Sequence, residues 1–271
     1  MVGRRGFLRI LAASMVSALA LLFYIPSRYK ANINRRGGSF TDLDLEGEIV
    51  YLPFPKLKGT ISIEEVLANR RSIRDYVASP LTLDELSQIL WSAYGITETT
   101  YGFKTTPSAG ATYPLDVYVV VAPRGVKRGE TYLKPGSYKY NPHAHVIRLV
   151  KEGDLVGALY EAALEQEWVL NAPVNLVFTA VYERTTNRYG ERGVRYVWIE
   201  VGHAGQNVYL QATGMGLATV AIGAFYDEEV REIIGASEAE HPLYIMPVAR
   251  PLKVYRLNPR DLEDYIMQRR E

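Results

Sequence analysis

The chain has 271 residues, 31 basic against 30 acidic side chains for a formal charge of +1, 48% hydrophobic content and no cysteine. That length and composition suit one large domain with a substantial core, and the missing cysteines exclude disulfide frameworks, thiolate metal sites, iron–sulfur clusters and cysteine nucleophiles together. Seven of the basic residues (Arg4, Arg5, Arg9, Arg28, Lys30, Arg35 and Arg36) precede any acidic one, so the remainder carries 24 Lys and Arg against 30 acidic residues, and an acidic body argues against nucleic acid as a partner.

The first element is the N-terminal segment. Arg4-Arg5 ahead of Phe7-Leu8 and an apolar run from Ile10 to Ile25 resembles a twin-arginine export signal, with residues 1–30 as signal or membrane anchor. The run is short for a full membrane span. This reading places the protein on the extracytoplasmic face, exported or membrane-anchored. Residues 31–60, rich in Arg, Gly, Asp and Pro, read as an exposed linker and lead-in, and a single domain is expected over 61–257, with 258–271 as a C-terminal tail.

Within that domain, Ser62-Ile-Glu-Glu65 and Thr82-Leu-Asp-Glu85 are capping boxes. The second opens a helix through Leu86, Ile89 and Leu90 that stops at Gly95. Further helices are expected over 154–167 and 195–213, and a short one capped by Asp227 and ended by Gly235. Strands are expected at Leu115–Ala122, Val146–Val150, Val174–Tyr182 and Leu243–Val248, with a hairpin around Gly136–Pro142. Helices and strands are interspersed without regular βαβα alternation, which predicts an α+β domain around one central sheet.

Three stretches carry the chemistry. Asn69-Arg-Arg-Ser-Ile-Arg-Asp-Tyr76 ends the first helix, and its guanidiniums and hydroxyl suit a phosphate dianion or, equally, a solvated helix end. Thr106-Pro-Ser-Ala-Gly-Ala-Thr-Tyr-Pro-Leu115 is a small-residue loop that lets a flat ligand approach the backbone. Gly202-His-Ala-Gly-Gln-Asn-Val-Tyr-Leu-Gln-Ala-Thr-Gly-Met-Gly216 is a small-residue helix suited to close packing, as at a subunit interface, and it leads into an extended tail containing Gly223. His143-Ala-His145 has ligand-like spacing but no identifiable third ligand, and reads as a surface pair.

Together, in this order over about residues 60–255, the three stretches resemble the FMN-binding nitroreductase superfamily. The stretch from Arg184 to Asn207 is similar to the SagB-like dehydrogenases. The resemblance implies a nitroreductase-like fold, a mainly antiparallel sheet flanked by helices, and a homodimer with flavin at the interface. It implies that Arg70, Arg71, Ser72 and Arg74 hold the FMN phosphate and ribityl chain. Pro107, Ser108, Ala109 and Gly110 would line the flavin, Ile222, Gly223 and Ala224 would border its ring, and Arg250 would return to the phosphate. It aligns Arg188-Tyr189 with the catalytic Lys-Tyr pair of the azoline-oxidising members. The lysine-to-arginine departure matters, because an arginine stays protonated. The implied activity is ping-pong hydride transfer between a reductant such as NAD(P)H and a small-molecule or peptide substrate. The alternative is a flavin-binding carrier or assembly component with little turnover.

The N-terminal reading is testable on its own. Replacing Arg4 and Arg5 by Lys is expected to retain folded protein in the cytoplasm, and fractionation checks it. Wild-type protein found wholly as soluble cytoplasmic material contradicts the expectation.

Overall fold

The computed structural model describes residues 47–270, and the expected signal or anchor lies outside them. Among the described residues no helix is long and apolar enough to cross a membrane.

An eight-stranded sheet forms the centre. Its strands are β1 (Ile49–Tyr51), β2 (Tyr76–Val77), β3 (Leu115–Val121), β4 (Gly136–Asn141), β5 (Val146–Glu152), β6 (Val174–Ala180), β7 (Ala218–Thr219) and β8 (His241–Pro251). The order is β1-β5-β4-β3-β6-β8-β7, β2 adds to the end of β8, and these pairings are antiparallel. β6 lies between β3 and β8 with all seven residues buried. The register sets Val174 opposite Val121 and Val248, and Ala180 opposite Leu115 and His241.

Eight helices accompany the sheet among the described residues: α1 (Ile63–Asn69), α2 (Leu83–Tyr94), α3 (Val156–Ala162), α4 (Glu167–Leu170), α5 (Glu183–Tyr189), α6 (Arg192–Gly214), α7 (Asp227–Ile234) and α8 (Pro259–Met267). On one face of the sheet, Val117, Val119, Leu176 and Phe178 pack with Leu86 and Ile89 of α2 and Val201 and Val208 of α6. On the other, Tyr118, Val120 and Val177 pack with Leu159 of α3 and Val230 and Ile234 of α7. Strand alternation therefore feeds two apolar layers. This is the α+β architecture around one sheet that the sequence predicts, with the mainly antiparallel arrangement that the resemblance implies.

The Thr82 box forms in full: Thr82 Oγ1 accepts the Glu85 N–H at 3.2 Å, Glu85 accepts the Thr82 N–H at 2.8 Å, and Gly95 follows the last turn. Only half of the Ser62 box forms. Ser62 accepts the Glu65 N–H, but the Glu65 carboxylate pairs with Arg256 at 3.1 Å. Asp227 is the first helical residue of α7, with Tyr226 as the cap, so its carboxylate acts on the helix dipole instead. The helix expected over 154–167 is two short ones. Leu164 and Glu165 adopt φ of 56° and 55°, a left-handed pair that breaks the ladder. The lead-in also contributes structure, since Val50 is fully buried where β1 pairs with β5.

Gly205 differs most in role. Its neighbours are the Tyr244 ring, 3.3 Å from where a Cβ would stand, and the Met246 sulfur at 3.5 Å. The glycine thus admits β8 of its own chain against α6, while Gly202 faces open space. Gly205→Leu is expected to overpack this intrachain contact by about 1–3 kcal/mol. Urea unfolding checks it, and an unchanged midpoint contradicts it.

Candidate functional site

The arginine segment leaves α1 in extended backbone and is pinned by Ile73 N–H donating to the Thr219 carbonyl at 3.1 Å. Arg70 places its guanidinium 5.1 Å from the Tyr209 ring centroid, and Ser72 Oγ lies 2.8 Å from Tyr209 Oη. Arg71 turns the other way. It donates to the carbonyls of Ala68 and Arg70 and lies over Tyr255 at 3.9 Å. Arg74 sits over Trp168 at 5.1 Å.

Ser72, Arg74, Tyr76, Trp168, Leu252 and Tyr255 are among the residues lining an open cleft of about 760 Å³. Two buried polar atoms of lining residues, Tyr76 Oη and Trp168 Nε1, have no hydrogen-bond partner, and neither has Thr219 Oγ1 on β7. Buried orphans of this kind are uncommon and mark places where a ligand or water completes the bonding. Burial pushes the Tyr76 phenol well above its ordinary pKa, so it stays protonated. Arg250 reaches this end of the sheet, but its Nη2 donates to both oxygens of the Glu85 carboxylate at 2.9 and 3.0 Å.

The tail after α6 is held by the same tyrosine. Ala221 N–H donates to Tyr209 Oη at 2.7 Å. Ile222, 3% exposed, is stapled to Ile245 through both backbone groups at 2.9 and 3.0 Å and belongs to the core. Gly223 and Ala224 are exposed beyond it, and among the described residues the Gly223 N–H has no partner. Gln166, capping α4 just before Trp168, donates to the Ala224 carbonyl at 3.0 Å.

A second cluster forms around the small-residue loop. Arg188 Nη1 donates to the Gly110 carbonyl at 3.0 Å. Gly110 has φ of 59°, and a Cβ there would stand 2.4 Å from Tyr189 Oη and 2.5 Å from Arg188 Nη1. Glycine adopts this left-handed conformation without strain, and a side chain there would push the ends of Tyr189 and Arg188 aside. Ser108 Oγ accepts the Tyr113 N–H at 2.9 Å, and Asn207 of α6 donates to Thr106 Oγ1 at 3.1 Å. Arg188 and Tyr189 therefore clasp the loop of Pro107, Ser108, Ala109 and Gly110. None of these residues lines the cleft beside Arg74.

Beneath the loop lies a titratable group that sequence reasoning missed. Lys104 Nζ sits 3.8 Å from the Tyr94 ring centroid and 4.7 Å from that of Tyr113. Tyr94 Oη donates to buried Glu200 at 2.6 Å. Desolvation, only partly offset by Asp116 and Glu200, brings the Lys104 ammonium down to about 7. Burial raises Glu200 against the hydrogen bonds from Ser108 and Tyr94. Trp168 and Tyr209 were missed as well, because only the tertiary fold brings them to the arginines. The surface-pair reading holds for exposed His143 but not for His145, whose Nδ1 meets Tyr140 Oη at 2.9 Å and whose Nε2 meets Ser87 Oγ and the Pro53 carbonyl.

With this geometry in hand, similarity to known proteins is decisive. Residues 67–250 match the family model described as Nitroreductase family. The chain belongs to the nitroreductase family. It is 49% identical over 207 residues to a protein of Methanocaldococcus jannaschii named as a nitroreductase, covering 76% of this chain and all of that one. Among solved structures, a nitroreductase of Ralstonia eutropha JMP134 superposes with TM-score 0.65 at 27% identity, over 76% of this chain and 90% of that one. The Escherichia coli microcin synthetase McbBCD complex, solved with truncated pro-MccB17 bound, shares the fold with TM-score 0.59 at 19% identity, over 78% and 80%. Membership makes the protein an oxidoreductase of the nitroreductase fold.

The Lys104 environment yields a pH test. Its folded pKa lies below the ordinary 10.5, so between about 7 and 10.5 the unfolded chain binds more protons. Stability contributed by this group therefore rises with pH across that window. Lys104→Met should flatten that rise when urea midpoints are compared between about pH 7 and pH 9. Parallel wild-type and variant profiles contradict the assignment.

Proposed function

We propose that the protein is an FMN-dependent oxidoreductase of the SagB-like dehydrogenase type. The observation that carries the reading is one cleft lined by Ser72 and Arg74, beside two orphaned buried polar atoms, whose edge is tied through Tyr209 and the Ala221 amide to the tail that carries Gly223. These groups fit a flat, phosphorylated ligand: cations and hydroxyls for a dianion, and an amide for a ring acceptor. Bound FMN would supply hydride acceptance from a reductant such as NAD(P)H and hydride donation to a second substrate, in alternating half-reactions.

The chain's own residues bind and orient. Arg70 and Arg74 attract the phosphate, and Ser72 donates to it. The Gly223 amide is placed to donate to the ring edge, with Ile222 stapled in the core behind it. Arg71, stacked on Tyr255 and bonded to its own helix end, holds the segment in shape. Arg250 contributes through Glu85 rather than as a free cation.

The loop of Pro107–Gly110 enters this reading through a second subunit. Cleft and loop form separate clusters within one chain, and a homodimer would bring the loop of one protomer to the cleft of the other. Arg188 and Tyr189 then act by holding the loop. An arginine already bonded to the Gly110 carbonyl, and always protonated, is unsuited to abstract a proton. A substrate, small molecule or peptide, would meet the ring at that face. Export or anchoring through residues 1–30 remains part of the proposal, with FMN loaded before transit.

Purified protein is expected to be yellow with about one FMN per chain. Arg70→Ala with Arg74→Ala should weaken FMN binding by on the order of a few kcal/mol, since charge-assisted bonds are worth about 1.5–3 kcal/mol each. Fluorescence titration checks this. Unchanged affinity would reduce the arginines to a solvated helix end.

A further inference from the structure

Tyr209 is the only side chain found bonded to both halves of the cleft edge among the described residues. It lies on α6 and projects between the arginine segment and the Ala221–Ala224 tail. Its ring carries the Arg70 guanidinium at 5.1 Å. Its hydroxyl sits 2.7 Å from the Ala221 nitrogen and 2.8 Å from Ser72 Oγ.

Proton counting leaves the Tyr209–Ser72 bond two directions, and the charge of the ligand selects between them. An N–H only donates, so the Ala221 amide occupies one lone pair of Tyr209 Oη. The phenolic proton is then available, and Ser72 Oγ is the partner within reach. With the Tyr209 proton donated into Ser72 Oγ, the serine's own proton is left to turn outward. Ser72 is exposed and lines the cleft, so the outward direction is the cleft itself. Charge makes the choice: a hydroxyl chain running from a backbone amide toward a phosphate ends with its donor facing the anion.

We propose that Tyr209 is a positioning residue for phosphate recognition: it orients Ser72 as a donor to the ligand's phosphate while fixing the tail that presents Gly223. This rests on the flavin reading above. It gives the protein a means of preferring FMN over riboflavin, which shares the ring but lacks the phosphate. The substitution Tyr209→Phe keeps an aromatic ring beneath Arg70 and removes only the hydroxyl, so the cation–π contact and the core packing survive.

The test compares FMN and riboflavin affinities, by flavin fluorescence quenching, for wild type, Tyr209→Phe, Ser72→Ala and the double variant. Tyr209→Phe is expected to weaken FMN binding about three- to tenfold more than riboflavin binding, the size of one hydrogen bond to a charged or neighbouring group. Adding Ser72→Ala should cost little more, because the two hydroxyls act as one unit. Equal weakening of both flavins, additive losses, or a loss of melting temperature without a change in the FMN-to-riboflavin ratio would overturn the proposal. If wild-type protein binds neither flavin, the flavin reading fails. Amide exchange in the ligand-free protein then decides the brace: faster exchange at Ala221 in Tyr209→Phe supports it, and unchanged exchange overturns it.

Discussion

The structure depends on one constraint: β6 is buried along its whole length, so each of its peptide groups must find a partner in β3 or β8. That requirement fixes both neighbours in register, and with them everything that hangs from their ends. At the Ala180 end, β3 begins at Leu115, directly after the small-residue loop. At the Val174 end, β8 runs on to Arg250 and pairs with Val77 and Thr219, which bound the arginine segment and the tail. The two ends are about 20 Å apart at 3.4 Å per residue. The ladder thereby separates the arginine segment from the loop within one chain, while the tail after Thr219 runs back along β8 to Ile245.

Helix α6 serves both groups without joining them. Asn207 holds Thr106 at the root of the loop, and Tyr209, two residues on, holds Ser72 and Ala221. Residues two apart on a helix point away from each other, so one rigid rod orders two separate surfaces. Glycine has a matching role at two places. Gly205 lets β8 approach α6 to the distance at which Tyr244 and Met246 seal the layer, and Gly110 lets the loop turn beneath Arg188 and Tyr189. Under the proposed reading, bonds to one helix hold both parts of the edge in place, which lowers the ordering cost of binding.

Much of this architecture was legible in the residues, wherever local chemistry decides the outcome. The Thr82–Glu85 box, the Gly95 stop, and the Val-rich runs at Leu115, Val146 and Val174 each announce an element through their own neighbours. The readings that changed were those in which a distant partner decides. Glu65 leaves its cap for Arg256, Ile49–Tyr51 becomes a strand because β5 offers an open edge, and Gly205 faces Tyr244 of its own chain rather than another subunit. For the site, Arg74, Ser72 and the Gly223 segment were visible as motifs. Tyr209, Trp168 and Lys104 were not, because a tyrosine in a helix or a lysine in a short strand has no local mark of what it will touch. The break at Leu164–Glu165 was also hidden, since two non-glycine residues with positive φ run against their own preferences.

The central claim is that a working flavin site needs the cleft of one protomer and the loop of another. Complementation between two defective chains measures this most directly. One chain would carry Arg70→Ala with Arg74→Ala, and the other Gly110→Val to displace the loop from Arg188 and Tyr189. Each alone should bind little FMN, whereas a co-expressed mixture should regain about a quarter of the wild-type flavin content, since half of randomly formed twofold dimers are mixed and each holds one intact site. A mixture with no more flavin than its two parents would place the whole site within a single chain and contradict the account.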